Sequence, residues 1–286
     1  MEDKNKRLII IDSNSVIHRA FHALPPLTNK KGEVVGAVYG FLLVFFKAIK
    51  DFQPDYIAAC FDFHAPTFRH KKFKEYKANR PHAPEELYSQ IPKVKEVLKS
   101  FGVPIFEKEG FEADDIIGTI ASLSPVETII LSGDADNLQL VDAKTQVYLL
   151  RKGVKDIVLY NRKAVEEKYG GLTPEQLVDF KGLRGDPSDN IPGVAGIGEK
   201  TATSLILEFG GLDLIYNNLA LITSKVEEKL IRNKEQAYLS RELATIEKKV
   251  PIDFDLAKCS FIDYKQDAVR EALEKLGFHS LISRLW

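Results

Sequence analysis

Cysteine and histidine are scarce in this chain of 286 residues, which contains two cysteines and six histidines. Cys60 and Cys259 stand in unrelated sequence contexts, so we expect two packed thiols rather than a disulfide. His18 and His22 lie four residues apart, but the acidic residue that would complete a zinc-binding motif is missing between them. This shortage argues against zinc chemistry, and we assign neither histidine a catalytic role.

Long hydrophobic runs are also absent. The longest apolar stretch, GFLLVFF at 40–46, is far too short to cross a bilayer, and no apolar signal core follows the charged N-terminus. We therefore expect a cytoplasmic protein with no membrane partner. Hydrophobic residues make up 44% of the chain, which is ordinary for a globular protein and argues against disorder.

The net charge of −1 hides a segregation of charge along the chain. Between Phe68 and Arg80 the sequence reads FRHKKFKEYKANR, in which six lysines and arginines face the single acid Glu75. A solvated helix face is the common explanation of such a run. The interleaved Phe73 and Tyr76 favour a second one, because a basic track with aromatic platforms is suited to single-stranded nucleic acid.

Strand-like and helix-like segments alternate in the first part of the chain, which predicts an α/β fold with a mostly parallel central sheet flanked by helices. The predicted strands cover 7–12, 55–61, 103–106, 127–132 and 146–150. The predicted helices between them cover 35–52, 86–101 and 112–122. From about residue 161 the pattern is mainly helical, so we expect an α/β core over 1–160 and a helical part over 161–286.

Nine acidic residues stand out, most of them where an apolar run ends. They are Asp12, Asp62, Glu112, Asp114, Asp115, Asp134, Asp136, Asp186 and Asp189. Strand ends of a parallel sheet converge, and so many carboxylates in one place need cations. All-oxygen ligation points to Mg²⁺ or Mn²⁺. Helix capping explains one or two of the acids at 112–115, and Asp136 equally well, so that alternative remains open here.

The segment 182–207 contains a glycine-rich turn followed by a helix-like stretch. Gly193, Gly196 and Gly198 would let backbone N–H groups approach a phosphate, and Lys200 and Thr201 add a cation and a hydroxyl. The pattern resembles a helix-hairpin-helix element, which grips a duplex backbone without reading bases. An ordinary packing turn between helices is the alternative. Neither a P-loop nor a dinucleotide fingerprint fits.

Taken together, these motifs resemble the bacterial 5′ nuclease family: the flap endonuclease or 5′ to 3′ exonuclease domain of DNA polymerase I, or a free-standing homologue. The matching stretches are IDSNSVIHRAFHA, FRHKKFKEYKANR, EADD, SGDADNLQL, GDPSDNIPGVAGIGEKTA and LEKLGFHSLI. The resemblance implies a PIN-like nuclease core and a helical arch over residues 64–85, here called the arch segment. A polymerase domain would follow in the full protein if the chain is part of a DNA polymerase I, and none would follow in a free-standing homologue.

The resemblance also implies roles for individual residues. Asp12, Asp62, Glu112 and Asp114 correspond to ligands of a first Mg²⁺, and Asp134, Asp136 and Asp189 to ligands of a second, with Mn²⁺ as a substitute. Asp115 and Asp186 match acids that act indirectly or through water. Lys77 and Arg80 match catalytic cations at the scissile phosphate. Tyr76 matches an aromatic that stacks on DNA bases, and Arg69 is a weaker candidate for an electrostatic contact with DNA. Gly196, Gly198, Lys200 and Thr201 would hold duplex DNA, with K⁺ bound by hairpin carbonyls.

We therefore expect a monomeric, Mg²⁺-dependent phosphodiesterase that acts on DNA with a 5′ flap or 5′ end, in replication and repair. A non-catalytic module that binds branched DNA is the alternative, although concentrated negative charge would not help it to bind phosphate. An aspartyl-nucleophile phosphatase would need an Asp two residues after Asp12, where the chain has Asn14.

Overall fold

The computed structural model describes residues 6–285, and its centre is a six-stranded sheet in the order β3-β2-β1-β4-β5-β6. All neighbouring strands are parallel except β6, which runs antiparallel to β5. The strands are β1 (Arg7–Asp12), β2 (Tyr56–Cys60), β3 (Ile105–Phe106), β4 (Glu127–Ser132), β5 (Thr145–Lys152) and β6 (Asp156–Tyr160). The predicted α/β class and mostly parallel sheet are confirmed, but β6 was not predicted.

Helices cover both faces of the sheet and form most of the C-terminal part. Those up to residue 168 are α1 (Ser13–Ala23), α2 (Gly36–Phe52), α3 (Phe68–Lys72), α4 (Glu85–Tyr88), α5 (Ile91–Ser100), α6 (Ala113–Leu123) and α7 (Arg162–Lys168). The later ones are α8 (Leu177–Arg184), α9 (Glu199–Phe209), α10 (Leu212–Asn217), α11 (Ser224–Arg232), α12 (Lys234–Ala244), α13 (Gln266–Lys275) and α14 (His279–Ile282). No helix within residues 6–285 is both long and apolar enough to cross a membrane.

The alternation of side chains along β1 explains how the sheet is held between two layers. Ile9 and Ile11 belong to the hydrophobic cluster that contains α2, whereas Leu8 and Ile10 belong to the cluster that contains α6. A strand buried on both faces must be apolar throughout, as RLIIID is after its first residue. The two layers fix the direction of β1, and its last residue, Asp12, therefore points to a defined edge of the sheet.

The arch segment differs from the helical arch expected from the sequence. Only α3 is helical, and residues 74–79 form turns. Phe73 adopts an extended conformation that ends α3, and Lys77 has a positive φ of 55°, which an α-helix does not accommodate. The Lys77 N–H donates to the carbonyl oxygen of Asp189 at 2.9 Å, so a tertiary contact replaces the helical hydrogen bond at this point.

Candidate metal and nucleic-acid site

Five carboxylates line one cavity of about 390 Å³, the acid cavity, at the edge where the parallel strands end. Asp12 is the last residue of β1, and Asp62 and Asp134 each follow the end of a strand by two residues. Glu112 and Asp114 stand at the start of α6, whose N-terminus faces the same cavity. The fold thus brings together acids that are more than a hundred residues apart in sequence.

Crowding and burial disturb the ionisation of these acids. The pKa of the Asp12 carboxyl is raised to about 6, chiefly by burial. The hydrogen bond from Ser132 lowers this pKa, whereas repulsion by Asp134 and Asp62 raises it further. The pKa of Asp114 lies well above its ordinary value, chiefly through burial and then through Asp12 and Asp134. Carboxylates that repel one another in a partly buried cavity are a suitable donor set for hard divalent cations.

Two cations of the arch segment contact the acids directly. Lys77 Nζ lies 2.9 Å from Glu112 Oε2 and 3.8 Å from Asp189 Oδ2, and Arg80 pairs with the other oxygen of Asp189. Within residues 6–285, no group of three or more Asp, Glu, His or Cys side chains is arranged to hold a metal ion as it stands. The fold therefore gathers the predicted ligands, but Glu112 and Asp189 are paired with side-chain cations.

Asp136 and Asp186 form a second acidic group around a lysine that the sequence did not reveal. Lys181 Nζ lies 2.7 Å from Asp186 Oδ2 and also pairs with Asp136. Burial opposes ionisation of Asp186, but the Lys181 ammonium and the Ser188 hydrogen bonds hold its pKa at about 2. Lys181 lies in α8, five residues before Asp186, and no local pattern distinguishes it from a surface lysine.

Arg69 is enclosed in the protein, which corrects the prediction that it contacts DNA. The residue is 2% exposed, and its guanidinium donates to both oxygens of Asp115 at 2.8 and 2.7 Å. Asp115 is itself fully buried and accepts from the backbone N–H groups of Glu112 and Glu247. Asp115 therefore supports Glu112 and is not among the residues that line the acid cavity.

Tyr76 is also buried, which corrects its prediction as an exposed stacking platform. Only 3% of the residue is exposed, and its hydroxyl donates to Glu112 Oε2 at 3.1 Å and Asp189 Oδ2 at 3.2 Å. Sequence reasoning recognised an aromatic among cations but could not show that the turn at 74–79 folds inward. In this arrangement Tyr76 orients two of the predicted metal ligands.

The residues after β1 add further polar groups to the acid cavity that sequence reasoning did not assign. Asn14 Oδ1 accepts from the backbone N–H of Asp62 at 3.1 Å, and Ser15 Oγ accepts from the N–H of Gly133 at 2.8 Å. Arg19 donates twice to the Gly133 carbonyl oxygen. Their position directly after a strand end was a usable signal, because such residues commonly line the sites of parallel sheets.

The glycine hairpin, residues 193–198, is the last part of the loop between α8 and α9 and contains two glycines with positive φ, Gly193 at 63° and Gly196 at 78°. Gln236 donates to the Gly193 carbonyl oxygen at 2.6 Å, and Lys229 donates to that of Gly196 at 2.7 Å. The carbonyl of Gly196, a candidate ligand of the K⁺ ion that the resemblance implies, is thus already bound to an ammonium group. Gly198 immediately precedes α9.

The start of α9, directly after the glycine hairpin, carries the two other predicted DNA contacts. Lys200 is exposed and Thr201 half-buried, both in the first turn of α9. Backbone N–H groups at a helix N-terminus attract anions. This surface suits a phosphate backbone better than it suits bases.

An acid cavity at the ends of parallel strands, bordered by cations, is typical of a nuclease. The family models agree with that class. Residues 7–170 match the 5′-3′ exonuclease N-terminal resolvase-like domain, and residues 172–267 match the 5′-3′ exonuclease C-terminal SAM fold. The chain belongs to the 5′-3′ exonuclease family.

Curated relatives are DNA polymerases of bacteria. DNA polymerase I of Bacillus subtilis is 42% identical over 286 residues, covering 99% of this chain and 32% of the relative. DNA polymerase I of Mycobacterium tuberculosis is 39% identical over 291 residues, covering 100% of this chain and 32% of the relative. The chain therefore spans about a third of the length of the relatives it matches.

Solved structures share the fold over nearly the whole chain. A complex of the bacteriophage T5 flap endonuclease with DNA and metal ions has a TM-score of 0.70 at 21% identity, covering 98% of this chain and 99% of the other. The catalytic core of Rad2 with a DNA substrate has a TM-score of 0.65 at 19% identity, covering 98% and 93%. At these identities the likeness concerns the fold.

Proposed function

We propose that the chain is a structure-specific 5′ nuclease that hydrolyses DNA phosphodiesters at 5′ flaps and 5′ ends and leaves 5′-phosphates. The observation that carries the proposal is the convergence of five carboxylates in a cavity that Lys77 and Arg80 also line. Membership of the 5′-3′ exonuclease family and likeness to DNA polymerase I support it. The biological setting would be replication and repair, including removal of Okazaki fragment primers.

Two Mg²⁺ ions suit the donor set and would supply an activated water and charge neutralisation at the leaving 3′ oxygen. Asp12, Asp62, Glu112 and Asp114 would hold one ion. Asp134, Asp136 and Asp189 would hold the other, with Asp186 acting through water. Mn²⁺, with similar ligand preferences, would substitute.

Lys77 and Arg80 would then exchange carboxylate partners for a phosphate. Both are close enough to the acids to pair with Glu112 or Asp189. Ligation of those carboxylates by metal would weaken the ion pairs and free the cations to stabilise charge on the scissile phosphate. Tyr76, whose hydroxyl donates to Glu112 and Asp189, would keep both acids oriented during the exchange.

The glycine hairpin would hold the duplex next to the flap. Its backbone amides, with Lys200 and Thr201, would bind phosphates of the downstream strand and so position the junction without selecting a sequence. Gly196 and Gly198 would allow the close approach. The hairpin carbonyls that Lys229 leaves accessible would be the ligands of any K⁺ ion.

A flap substrate labelled at its 5′ end tests the proposal. Incubation with Mg²⁺ should release a labelled fragment by internal cleavage, and EDTA should prevent it. Label released as inorganic phosphate would instead indicate a phosphatase. Bound but intact DNA in the presence of Mg²⁺ would indicate a non-catalytic binding module and would overturn the proposal.

A further inference from the structure

The ion pair between Arg69 and Asp115 lies where three separate segments meet. Arg69 belongs to α3 of the arch segment, and Asp115 belongs to the first turn of α6, next to two predicted metal ligands. The third segment is the chain leaving α12: Arg69 Nε donates to the Leu243 carbonyl oxygen at 2.9 Å, and its NH2 group donates to that of Thr245 at 2.7 Å. The guanidinium of Arg69 thus connects α3 to the other two segments.

The Asp115 carboxylate completes the junction. One oxygen accepts from the Glu247 N–H at 2.9 Å and the other from the Glu112 N–H at 3.0 Å. Arg69 NH1 also lies 3.6 Å from Glu112 Oε2, so the pair controls both the backbone and the side chain of that ligand. A planar guanidinium with five donors can make these contacts together, whereas an ammonium cannot.

The C-terminal end of α12 contacts Arg69, and earlier turns of α12 bind the glycine hairpin. Ser240 Oγ in α12 accepts from the Gly193 N–H at 2.9 Å, and Gln236 in α12 donates to the Gly193 carbonyl oxygen. α12 packs along α8, which leads into the hairpin. A continuous path of hydrogen bonds and packed backbone therefore runs from the hairpin through α12 and Arg69 to Glu112.

We propose that Arg69 is a positioning residue that couples binding of duplex DNA at the glycine hairpin to binding of divalent metal at the acid cavity. Its guanidinium is buried against Asp115 and the carbonyl oxygens of Leu243 and Thr245. Movement of α12 on duplex binding is transmitted through Arg69 and Asp115 to the start of α6, and by linkage metal binding strengthens duplex binding by the same factor. This inference rests on the proposed nuclease function.

Binding measurements without hydrolysis test the coupling. The probe is Mn²⁺, with free ion followed by electron paramagnetic resonance, in the presence and absence of a closed dumbbell duplex that has no 5′ end to cut. A titration of the dumbbell alone corrects for Mn²⁺ bound to DNA. For the wild type we expect the duplex to tighten Mn²⁺ binding about 5-fold or more.

Arg69→Lys should bring this factor close to one, because lysine keeps the charge but loses the fork of hydrogen bonds. Arg7→Lys is the matched control: it makes the same change at a guanidinium that donates to a carboxylate, Glu127, and to the Phe52 carbonyl oxygen, at the opposite end of β1 from Asp12, and it should keep the wild-type factor. Near-UV circular dichroism checks that each variant is folded. If Arg69→Lys does not fold, Asp115→Asn, which keeps the side-chain shape, replaces it with the same expected loss.

A wild-type factor of one, or a wild-type factor retained in folded Arg69→Lys, would overturn the coupling. Either result would leave the nuclease proposal standing if the labelled flap is still cut. If duplex and Mn²⁺ binding are coupled but the flap is not cut, the nuclease proposal fails and the coupling between the two sites stands.

Discussion

At the scale of single residues, the carboxyl group of Asp114 shows the cost of building the site. It is surrounded by Asp12, Asp134 and Asp136, and burial together with their charges raises its pKa. A carboxyl group whose folded-state pKa is raised stabilises the protein at low pH and loses that contribution as pH rises through the folded-state value. At neutral pH and without metal, Asp114 should therefore weaken the fold.

Asp114→Asn should stabilise the metal-free protein at pH 7, because the neutral amide replaces a carboxyl group whose pKa is raised by burial and by the neighbouring acids. The hydrogen bond from Asn137 can be kept by the new amide oxygen. The gain should shrink as the pH falls towards 4, and stabilisation by added Mg²⁺ should be smaller than in the wild type. Urea denaturation with EDTA and with Mg²⁺ measures both effects, with the exposed Asp263→Asn as control.

A destabilised or unchanged Asp114→Asn protein in EDTA would show that the acids are not held in mutual repulsion. The premise that the cavity suits divalent cations would then lose its electrostatic support.

Removal of the Lys77 side chain should lower the rate of flap cleavage without lowering the affinity for duplex DNA. Lys77→Ala should slow cleavage of a flap by about 100-fold or more, as removal of one donor to a developing charge does elsewhere. Duplex affinity should stay near the wild-type value, because Lys77 lies among the acids and not at the glycine hairpin. Single-turnover kinetics and fluorescence anisotropy measure the two quantities on the same DNA.

Lys74→Ala, three residues earlier on an exposed side chain, is the control and should change neither quantity much. Equal losses of rate and affinity in Lys77→Ala would assign that lysine to DNA binding instead.

At the scale of elements, the glycine hairpin depends on a close backbone approach. A Cβ atom at Gly193 would lie 2.2 Å from the backbone nitrogen of Gly185, and the φ of Gly193 is positive. Gly193→Ala should therefore reduce the free energy of unfolding by about 3 kcal/mol or more, through strain and overpacking. The same approach is needed to present hairpin amides to phosphate, so duplex binding should fall as well.

Gly102→Ala separates the two causes. Gly102 also has a positive φ, of 74°, but a Cβ atom there would meet nothing within 4 Å. Only the conformational cost of about 1 kcal/mol should appear, without any effect on DNA binding. Similar losses of stability in the two variants would contradict the steric explanation.

The elements also show where sequence patterns are informative. β1 and β4 lie at their predicted bounds because each is an apolar run that two helical layers bury on both faces. β6 has exposed and half-buried positions at a sheet edge, so its pattern gives little signal. In the arch segment, tertiary hydrogen bonds to Asp189 decide the conformation, and these are invisible to local periodicity.

The same distinction holds for the site. Strand-end acids could be predicted, because topology alone brings them to one edge. The burial of Arg69 and Tyr76 could not be predicted, because a stretch of basic and aromatic residues is compatible with facing either solvent or carboxylates. Lys181 was missed for a related reason: its importance depends on Asp136, which lies 45 residues earlier in the chain and meets it only in the folded protein.

At the scale of the whole molecule, hydrolysis and duplex binding are assigned to different places. The acid cavity lies at the edge of the parallel sheet, and the glycine hairpin lies between α8 and α9. α13 and α14 return to the cluster that contains α2 and α5, so the last helices brace the nuclease core. Such a division predicts that hydrolysis and duplex binding can be removed one at a time.

The most direct test compares Asp134→Asn and Lys200→Ala in parallel assays of flap cleavage and duplex binding over a range of salt. Asp134→Asn should lose more activity than the roughly 100-fold that loss of a residue supporting a metal ligand costs. Its duplex affinity, measured in EDTA so that bound metal does not contribute, should be nearly intact. Lys200→Ala should bind duplex more weakly, with a salt slope reduced by about 1, and still cleave at saturating enzyme. Cleavage by Asp134→Asn at the wild-type rate would contradict the metal-site assignment.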